Sequence, residues 1–278
     1  MVFLNNRNKY HYDSFIFGSS RSCSHTSKQW AVYLPKNSQP FSFGAWNDNV
    51  ENIYKRLRLI DSLHTPIENA FILLDVDKTF KYSGDITADH YLINCMSKYE
   101  YYKNEYLYYL KTPLLFITSV DYLVFHKRRG YMDGFVGMTD EDLDPVNNDW
   151  FPNSEQATNK DSANYYKDEA RIFYKRPATQ QYATRQINTL KLSYLLKIKE
   201  LLKKHQTNYK IVIAPLYDQV KLNPYDKALL DGVFGAANVY DYSGINNITA
   251  NKYNYGKDVV HYRKRVGDLI YRQIYKNN

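Results

Sequence analysis

The pattern of apolar and polar positions along this chain is typical of strands that alternate with helices. Continuous apolar runs, which indicate strands buried in a parallel sheet, occupy residues 13–18, 30–34, 69–75, 210–216 and 238–242. Apolar residues that recur every three or four positions, which indicate helices, occupy residues 48–63, 184–204, 228–234 and 262–275. This order predicts an α/β fold with a mainly parallel, doubly wound sheet of about five strands between two helical layers.

The central part of the chain, residues 80–185, departs from this regular order. A tyrosine-rich stretch over 89–110 predicts a helix, and a stretch rich in Asp, Asn and Pro over 140–164 predicts an irregular loop. Between them, the apolar residues 114–125 predict a helix that packs on the sheet. Because no linker delimits this part, we expect an insertion or lid within a single domain of residues 1–278.

A short polar turn, Gly18-Ser19-Ser20, follows the first predicted strand. Glycine allows a tight turn there, and the serine after it lies where a helix can begin. At the carboxyl edge of a parallel sheet, such a serine can serve as a nucleophile. The simpler alternative is that Ser19 or Ser20 caps the helix, and the turn alone leaves both interpretations open.

A second candidate motif, Asp258-Val259-Val260-His261, lies between the last predicted strand and the last predicted helix. An aspartate three residues before a histidine can accept the imidazole Nδ1–H and stabilise the imidazolium that forms when Nε2 takes a serine proton. Both motifs follow strands of one parallel sheet, so we expect them to meet at the same edge. Their pairing favours a catalytic interpretation of Ser20.

Together the two motifs resemble the SGNH (GDSL-like) hydrolases. The family's Gly-Asp-Ser motif matches Gly18-Ser19-Ser20, its Asp-x-x-His motif matches Asp258 and His261, and the glycine of its second motif matches Gly44. The resemblance implies a three-layer, flavodoxin-like α/β/α fold. It also implies a catalytic triad of Ser20, His261 and Asp258, with an oxyanion hole formed by the backbone N–H groups of Ser20 and Gly44.

The third motif of that family ends in an asparagine and an aspartate after a central strand, and here the chain departs from it. Asp75-Val76-Asp77-Lys78 occupies that place, so Asp77 stands where the family's asparagine completes the oxyanion hole. A carboxylate repels the negative charge that develops on a substrate oxygen. The departure therefore keeps an alternative open, a catalytically inactive relative that binds a glycan or assists assembly.

The residues Gly18-Ser19-Ser20-Arg21 resemble the motif of extracytoplasmic family members that modify cell-surface polymers. The resemblance implies a serine esterase or O-acyltransferase that transfers an acetyl group on a carbohydrate or cell-surface polymer, with no metal or organic cofactor. It also implies a periplasmic or cell-surface location and a membrane-bound acyltransferase as partner. Arg21 is a candidate for binding an anionic substrate, although a surface arginine is the simpler interpretation.

Composition and charge change this picture little. The net charge of +8 favours an anionic partner, but the charges are scattered and the densest cluster is His126-Lys127-Arg128-Arg129, so we expect no nucleic-acid partner. The 29 tyrosines suit a carbohydrate surface, or they reflect the composition of the source genome. No signal peptide is visible and no apolar stretch reaches the roughly 18 residues of a membrane span, so a cytoplasmic location stays open.

Overall fold

The structure is a computed structural model that describes residues 2–44, 48–80, 103, 106–107, 110–127, 129–132, 143–150, 162–167, 169–256 and 259–275. Three sequence predictions fall largely or wholly on the remaining residues. They concern the helix over 89–110, the loop over 140–164 and the position of Asp258.

The core of the fold is a five-stranded parallel sheet with the order β2-β1-β3-β5-β7. Its strands are β1 Ser14–Gly18, β2 Pro40–Gly44, β3 Asn69–Leu74, β5 Asn208–Ile213 and β7 Val239–Asp241. Two short strands, β4 Gln181–Tyr182 and β6 Val220–Lys221, pair with each other in parallel. Counted along the chain, the five strands have the flavodoxin-like order 2-1-3-4-5, which confirms the predicted fold class.

Helices cover both faces of this sheet. They are α1 Val2–Tyr10, α2 Ser27–Ala31, α3 Val50–Ser62, α4 Pro113–Phe125, α5 Ser162–Tyr165, α6 Glu169–Ile172, α7 Thr189–Lys204, α8 Pro224–Phe234, α9 Asn247–Ala250 and α10 Lys264–Tyr275. Trp30 of α2 and Tyr271 of α10 both contact Phe71 of β3, so these two helices share one face. Right-handed crossovers put α3, α7 and α8 on the other face, where α7 packs against both α3 and α8.

The strand order creates a switch point between β1 and β3. From β1 the chain moves outward to β2 and then returns across β1 to β3, so the connections leave neighbouring strands in opposite directions. A crevice opens at the carboxyl ends of two such strands, and α/β folds commonly bind ligands there. The polar residues that follow β1 and β3 lie at this crevice.

The predicted strand over 30–34 is wrong. The Thr26 hydroxyl accepts the N–H of Gln29 at 3.2 Å, and the Gln29 side chain accepts the N–H of Thr26 at 3.1 Å. This capping box begins α2, which buries Trp30 completely, whereas Val32 is 75% exposed. The second strand forms later, at Pro40–Gly44.

The predicted helix over 114–125 is present as α4, but it does not pack on the sheet as expected. Only Leu115 and Thr118 are buried among its residues, and most of its large apolar side chains are exposed. The sequence pattern is apolar on all sides, which predicts burial but does not say against what. Within the described part of the chain, no helix is both long enough and apolar enough to cross a membrane.

Candidate active site

The first strand ends in a turn that brings Ser20 to the carboxyl edge of the sheet. A Cβ atom on Gly18 would lie 2.9 Å from the Cβ of Leu73, so glycine allows β1 to approach β3 closely at this point. A short 3-10 helix then begins at Ser20, and the Ser19 hydroxyl accepts the backbone N–H of Arg21 at 3.2 Å. Ser19 is thus the cap, and Ser20 is the first residue of the helix.

The side chain of Ser20 meets that of His261. The Ser20 Oγ and the His261 Nε2 lie 2.9 Å apart, although the two residues are 241 positions apart in sequence. His261 lies in a narrow loop before α10, in which its carbonyl accepts the N–H of Gly256 at 2.9 Å and Tyr255 pairs with Tyr262. A hydroxyl within hydrogen-bond reach of an imidazole is the arrangement of a nucleophile and its general base.

Asp258, the third member of the predicted triad, lies outside the described residues. Its role therefore stays a prediction. For the His261 Nε2 to accept a proton from Ser20, the Nδ1 must already carry one, and an acceptor for that proton would fix the tautomer.

Arg21, next to the candidate nucleophile, is buried. Its guanidinium donates two hydrogen bonds to the carboxylate of Asp77, at 2.6 and 2.9 Å, and one from Nε to the carbonyl of Val260, at 2.9 Å. Its Nη1 also lies 3.2 Å from a carboxylate oxygen of the fully buried Asp75. These contacts correct the expectation of a surface arginine, whereas a role for Arg21 in binding an anionic substrate stays a prediction. The Arg21 side chain fastens the residue before His261 to the ends of β1 and β3.

The same contacts explain the departure at Asp77. Its carboxylate accepts both hydrogen bonds of the Arg21 fork, an arrangement that fixes planar groups against each other. A carboxylate held in this way accepts hydrogen bonds and has none to donate to an oxyanion. The expected contribution of Asp77 to an oxyanion hole therefore does not fit the structure, and Asp77 instead holds Arg21.

Three carboxylates surround the single guanidinium at this edge. Burial lowers the pKa of Arg21, but the charges of Asp75 and Asp77 outweigh burial and raise that pKa above its usual range. Asp218, which follows β5, has a raised pKa because of burial, and repulsion from Asp77 raises it further. The carboxylates at this edge thus lie around a permanently charged arginine.

Gly44, the second glycine of the predicted oxyanion hole, ends β2 directly beside Gly18. A Cβ atom on Gly44 would overlap the Oγ of Ser22, so the glycine allows the Ser20 turn to pack against the end of β2. The Gly44 N–H makes a long hydrogen bond of 3.4 Å to the Ser42 hydroxyl. Its role toward an oxyanion stays a prediction.

Below Ser20, helix α10 packs closely against the 3-10 turn. A Cβ atom on Gly267 would overlap the backbone carbonyl of Ser24, which makes this the tightest glycine contact in the described residues. Next to it, the fully buried His25 contacts the Tyr262 hydroxyl through Nε2 at 2.9 Å. Burial lowers the pKa of His25 to about 3. This contact joins the turn that carries Ser20 to the residue that follows His261.

Two residues near the site were not predicted from the sequence. The ring of Trp150 lies edge-on to the ring of His261, with centroids 6.4 Å apart. The buried Asp149 accepts the backbone N–H of Ser27 at 2.8 Å and its hydroxyl at 2.7 Å, which fixes the segment to α2. The one sequence signal for this contact is a tryptophan in a stretch otherwise rich in Asp and Asn.

An aromatic pocket lies on the side of the molecule beyond Tyr255. Its cavity volume is about 520 Å³, and it is lined by Phe173, Tyr174, Lys175, Arg176, Pro177, Tyr217, Gln219 and Lys252. The guanidinium of Arg176 lies 4.5 Å from the centre of the Tyr217 ring, and that ring is 5.3 Å from the ring of Tyr255. Tyr255 in turn pairs with Tyr262, next to His261.

Neither a candidate metal site in the described residues nor a similarity to a known protein points to a function. Among the described residues, no group of three or more His, Cys, Asp or Glu side chains is arranged to hold a metal ion. No protein-family model matches the chain, and no curated protein matches it. What the protein does must therefore be inferred from the geometry around Ser20.

Proposed function

We propose that this protein is a serine esterase or O-acyltransferase. The observation that carries the proposal is the 2.9 Å distance between the Ser20 Oγ and the His261 Nε2 at the carboxyl edge of the sheet. A purely structural serine needs no imidazole there, because the helix cap is already supplied by Ser19. The bracing of this edge by a buried arginine also supports a site in which two side chains must keep a fixed separation.

In the proposed reaction, the Ser20 Oγ attacks the carbonyl carbon of an ester while His261 takes its proton at Nε2. The tetrahedral intermediate expels the alcohol, which leaves with the proton from His261. The backbone N–H of Ser20 is in the first turn of a 3-10 helix, where N–H groups lack partners within the helix and can stabilise the oxyanion together with that of Gly44. Water or a sugar hydroxyl then attacks the acyl-Ser20 ester and gives its proton to His261. The bond from the acyl carbon to the Ser20 Oγ breaks, and His261 returns the proton to Oγ as the acid or the new ester leaves.

The substrate class is an acetylated carbohydrate or cell-surface polymer, as the resemblance to SGNH hydrolases implies. The aromatic pocket that includes Phe173 and Tyr217 supports it, because flat rings with polar neighbours suit sugar rings. An extracytoplasmic location and a membrane-bound acyltransferase as partner belong to the same proposal. No metal or organic cofactor enters these steps.

A serine-directed fluorophosphonate probe tests the proposal. We expect the wild-type protein to be labelled on Ser20, and Ser20→Ala and His261→Ala to lose labelling by about a thousandfold. Ser193→Ala is a matched control, because Ser193 lies on α7 and its hydroxyl donates to the carbonyl of Leu190 within that helix. Absence of labelling in the wild type, or equal labelling of Ser20→Ala, would overturn the proposal.

A second candidate is a catalytically inactive, glycan-binding member of the same family. The observation that favours it is Asp77, whose carboxylate stands in place of an oxyanion donor. This candidate predicts no probe labelling, together with retention on immobilised acetylated polysaccharide that Tyr217→Ala weakens. Labelling of Ser20 at a rate that depends on His261 excludes it.

A further inference from the structure

Helix α4 exposes apolar side chains of the kind that the rest of the fold buries. Thr118 is fully buried and donates to the carbonyl of Leu115 at 2.8 Å, and Asp121 is held by Arg129 at 3.1 Å. One side of the helix carries an outward stripe of large apolar side chains at three- and four-residue spacing, and Leu114, Tyr122 and Phe125 are exposed elsewhere on the helix. The stripe consists of Phe116, Ile117, Val120, Leu123 and Val124, which are 43–68% exposed.

Apolar helices of this length occur in two common settings. A continuous apolar stretch of about 10–14 residues is typical of a helix buried in a protein core or of a segment that lies at a membrane interface. Among the described residues the stripe is uncovered, which favours the membrane interface over the protein core as the setting of α4. At about 20 Å the helix is also too short to span the roughly 30 Å of a bilayer interior.

Positive charge lies at both ends of the helix. Exposed Lys111 comes just before α4, and exposed Lys127 and Arg129 come just after it. The stripe itself carries no charged residue, and the one acid of the helix, Asp121, is paired on the other side. An apolar surface with lysine and arginine at its ends matches the acyl chains and anionic headgroups of a membrane surface.

The same charges disfavour a second copy of the chain on this surface. In a twofold dimer that pairs the two stripes in parallel, Lys111 of one copy would face Lys111 of the other. In an antiparallel pair, Lys111 would face Lys127 and Arg129. Both arrangements bring like charges together, whereas an anionic membrane meets all of them with opposite charge.

We propose that α4 is a membrane-docking helix that lies flat on an anionic bilayer surface, with Phe116, Ile117, Val120, Leu123 and Val124 inserted among the acyl chains. Lys111 and Lys127 contact the lipid phosphates at its two ends. Docking of this kind is reversible and needs no spanning segment. It is independent of the proposed chemistry at Ser20, since neither site shares a residue with the other.

Co-sedimentation with vesicles tests this proposal. The full chain is mixed with vesicles of equal phosphatidylglycerol and phosphatidylcholine, and separately with phosphatidylcholine alone. We expect binding to the anionic vesicles, and a loss of about tenfold or more in the double variant F116S/L123S. We expect a loss of about tenfold in K111Q/K127Q, which high salt reproduces in the wild type.

Val32→Ser is the matched control, because Val32 is a similarly exposed apolar residue at the end of a different helix, α2. It should bind vesicles as the wild type does, and thermal melting should show that all variants fold. Failure of the wild type to bind anionic vesicles would overturn the proposal, as would equal losses in V32S and F116S/L123S. A dimer in solution that F116S/L123S dissolves, without vesicle binding, would assign the surface to a second copy instead.

Discussion

The crevice around Ser20 and the surface of helix α4 depart from the usual arrangement of residues in opposite ways. The crevice buries charge, since Arg21 and Asp75 are almost entirely inaccessible, whereas α4 exposes phenylalanine and leucine. The buried charges have partners within the chain, and Arg21 alone contacts both the segment after β3 and the loop before α10. The apolar stripe of α4 has no such partner in the described residues. A buried charged group is stabilised by partners within the same chain. An exposed apolar surface is stabilised only if another molecule or a membrane covers it.

The largest expected effect comes from breaking the buried ion pair. Arg21→Met leaves the carboxylate of Asp75 buried without its partner, so the free energy of unfolding should fall by about 3–5 kcal/mol. The matched control is Arg129→Met, which breaks the exposed pair with Asp121 and should cost less than about 1 kcal/mol. Urea denaturation measures both. Equally small losses of unfolding free energy in the two variants would show that the buried ion pair stabilises the protein no more than the exposed one does.

A smaller effect is expected where α10 packs against the Ser20 turn. A methyl group on Gly267 overlaps the carbonyl of Ser24, so Gly267→Ala should cost about 1–3 kcal/mol and slow probe labelling of Ser20. The control is Gly232→Ala in α8, where a Cβ atom meets nothing within 4 Å. That change should stabilise the protein by about 0.5–1 kcal/mol. If G267A labels Ser20 at the wild-type rate, close packing at this glycine does not set the geometry of the site.

The pH dependence of the free energy of unfolding tests the buried state of His25. The unfolded chain binds a proton at its imidazole below about pH 6.5, whereas burial lowers the folded pKa to about 3. Stability should therefore fall by about 1.4 kcal/mol for each pH unit between 6.5 and 3 as acid is added. His25→Gln removes this contribution. The difference in the free energy of unfolding between wild type and variant should therefore shrink as the pH falls from 7 to 5.

The comparison of wild type with His25→Gln is needed because Asp48 acts in the opposite direction. Burial raises the pKa of Asp48 to about 6, so its folded form binds a proton more readily than its unfolded form does. This raises stability as the pH falls from about 6 toward 3.8, against the trend of His25. Both proteins retain Asp48, so its contribution cancels when the two are compared. Urea unfolding midpoints at several pH values measure the difference in stability that is due to His25. A difference that does not change with pH would contradict the buried, neutral state of His25.

The smallest expected effect is on the α4 stripe. Phe116→Ser and Leu123→Ser should each change the free energy of unfolding by no more than about 0.5 kcal/mol, because their side chains already contact solvent. Leu57→Ala, in the fully buried face of α3, should cost about 2–5 kcal/mol in the same assay. A loss of several kcal/mol from either serine variant would show that the stripe is covered by the protein itself.

The parallel sheet was predictable because its strands are buried on both faces and therefore appear as continuous apolar runs. Residues 69–75 show this most clearly, and the structure has β3 at Asn69–Leu74. The run over 30–34 follows the same rule but is not a strand, because the hydrogen bonds between Thr26 and Gln29 begin a helix just before it. An apolar run indicates that a segment is buried but not whether it is a strand or a helix. Local capping hydrogen bonds decide between the two.

The meeting of Ser20 and His261 was predictable from topology, since both follow the sheet at one edge. The function of Arg21 was not predictable, because a guanidinium beside a nucleophile can face outward or inward with the same sequence. What decides its direction is the pair of aspartates after β3, 54 and 56 positions away, whose carboxylates face it in the fold. Trp150 escapes prediction for the same reason, because a distant contact, the anchoring of Asp149 to α2, helps to bring it to the histidine.

The long sequence separation between Ser20 and His261 has a consequence for how the proposed site is assembled. During synthesis the turn that carries the serine emerges early, and the histidine emerges only after β7. Contacts between such distant residues form late in folding, because the chain between them must first be ordered. Ser20 therefore meets His261 late, when the sheet is complete. If Ser20 is the nucleophile that we propose, its reactivity toward a probe would report that the whole sheet has assembled.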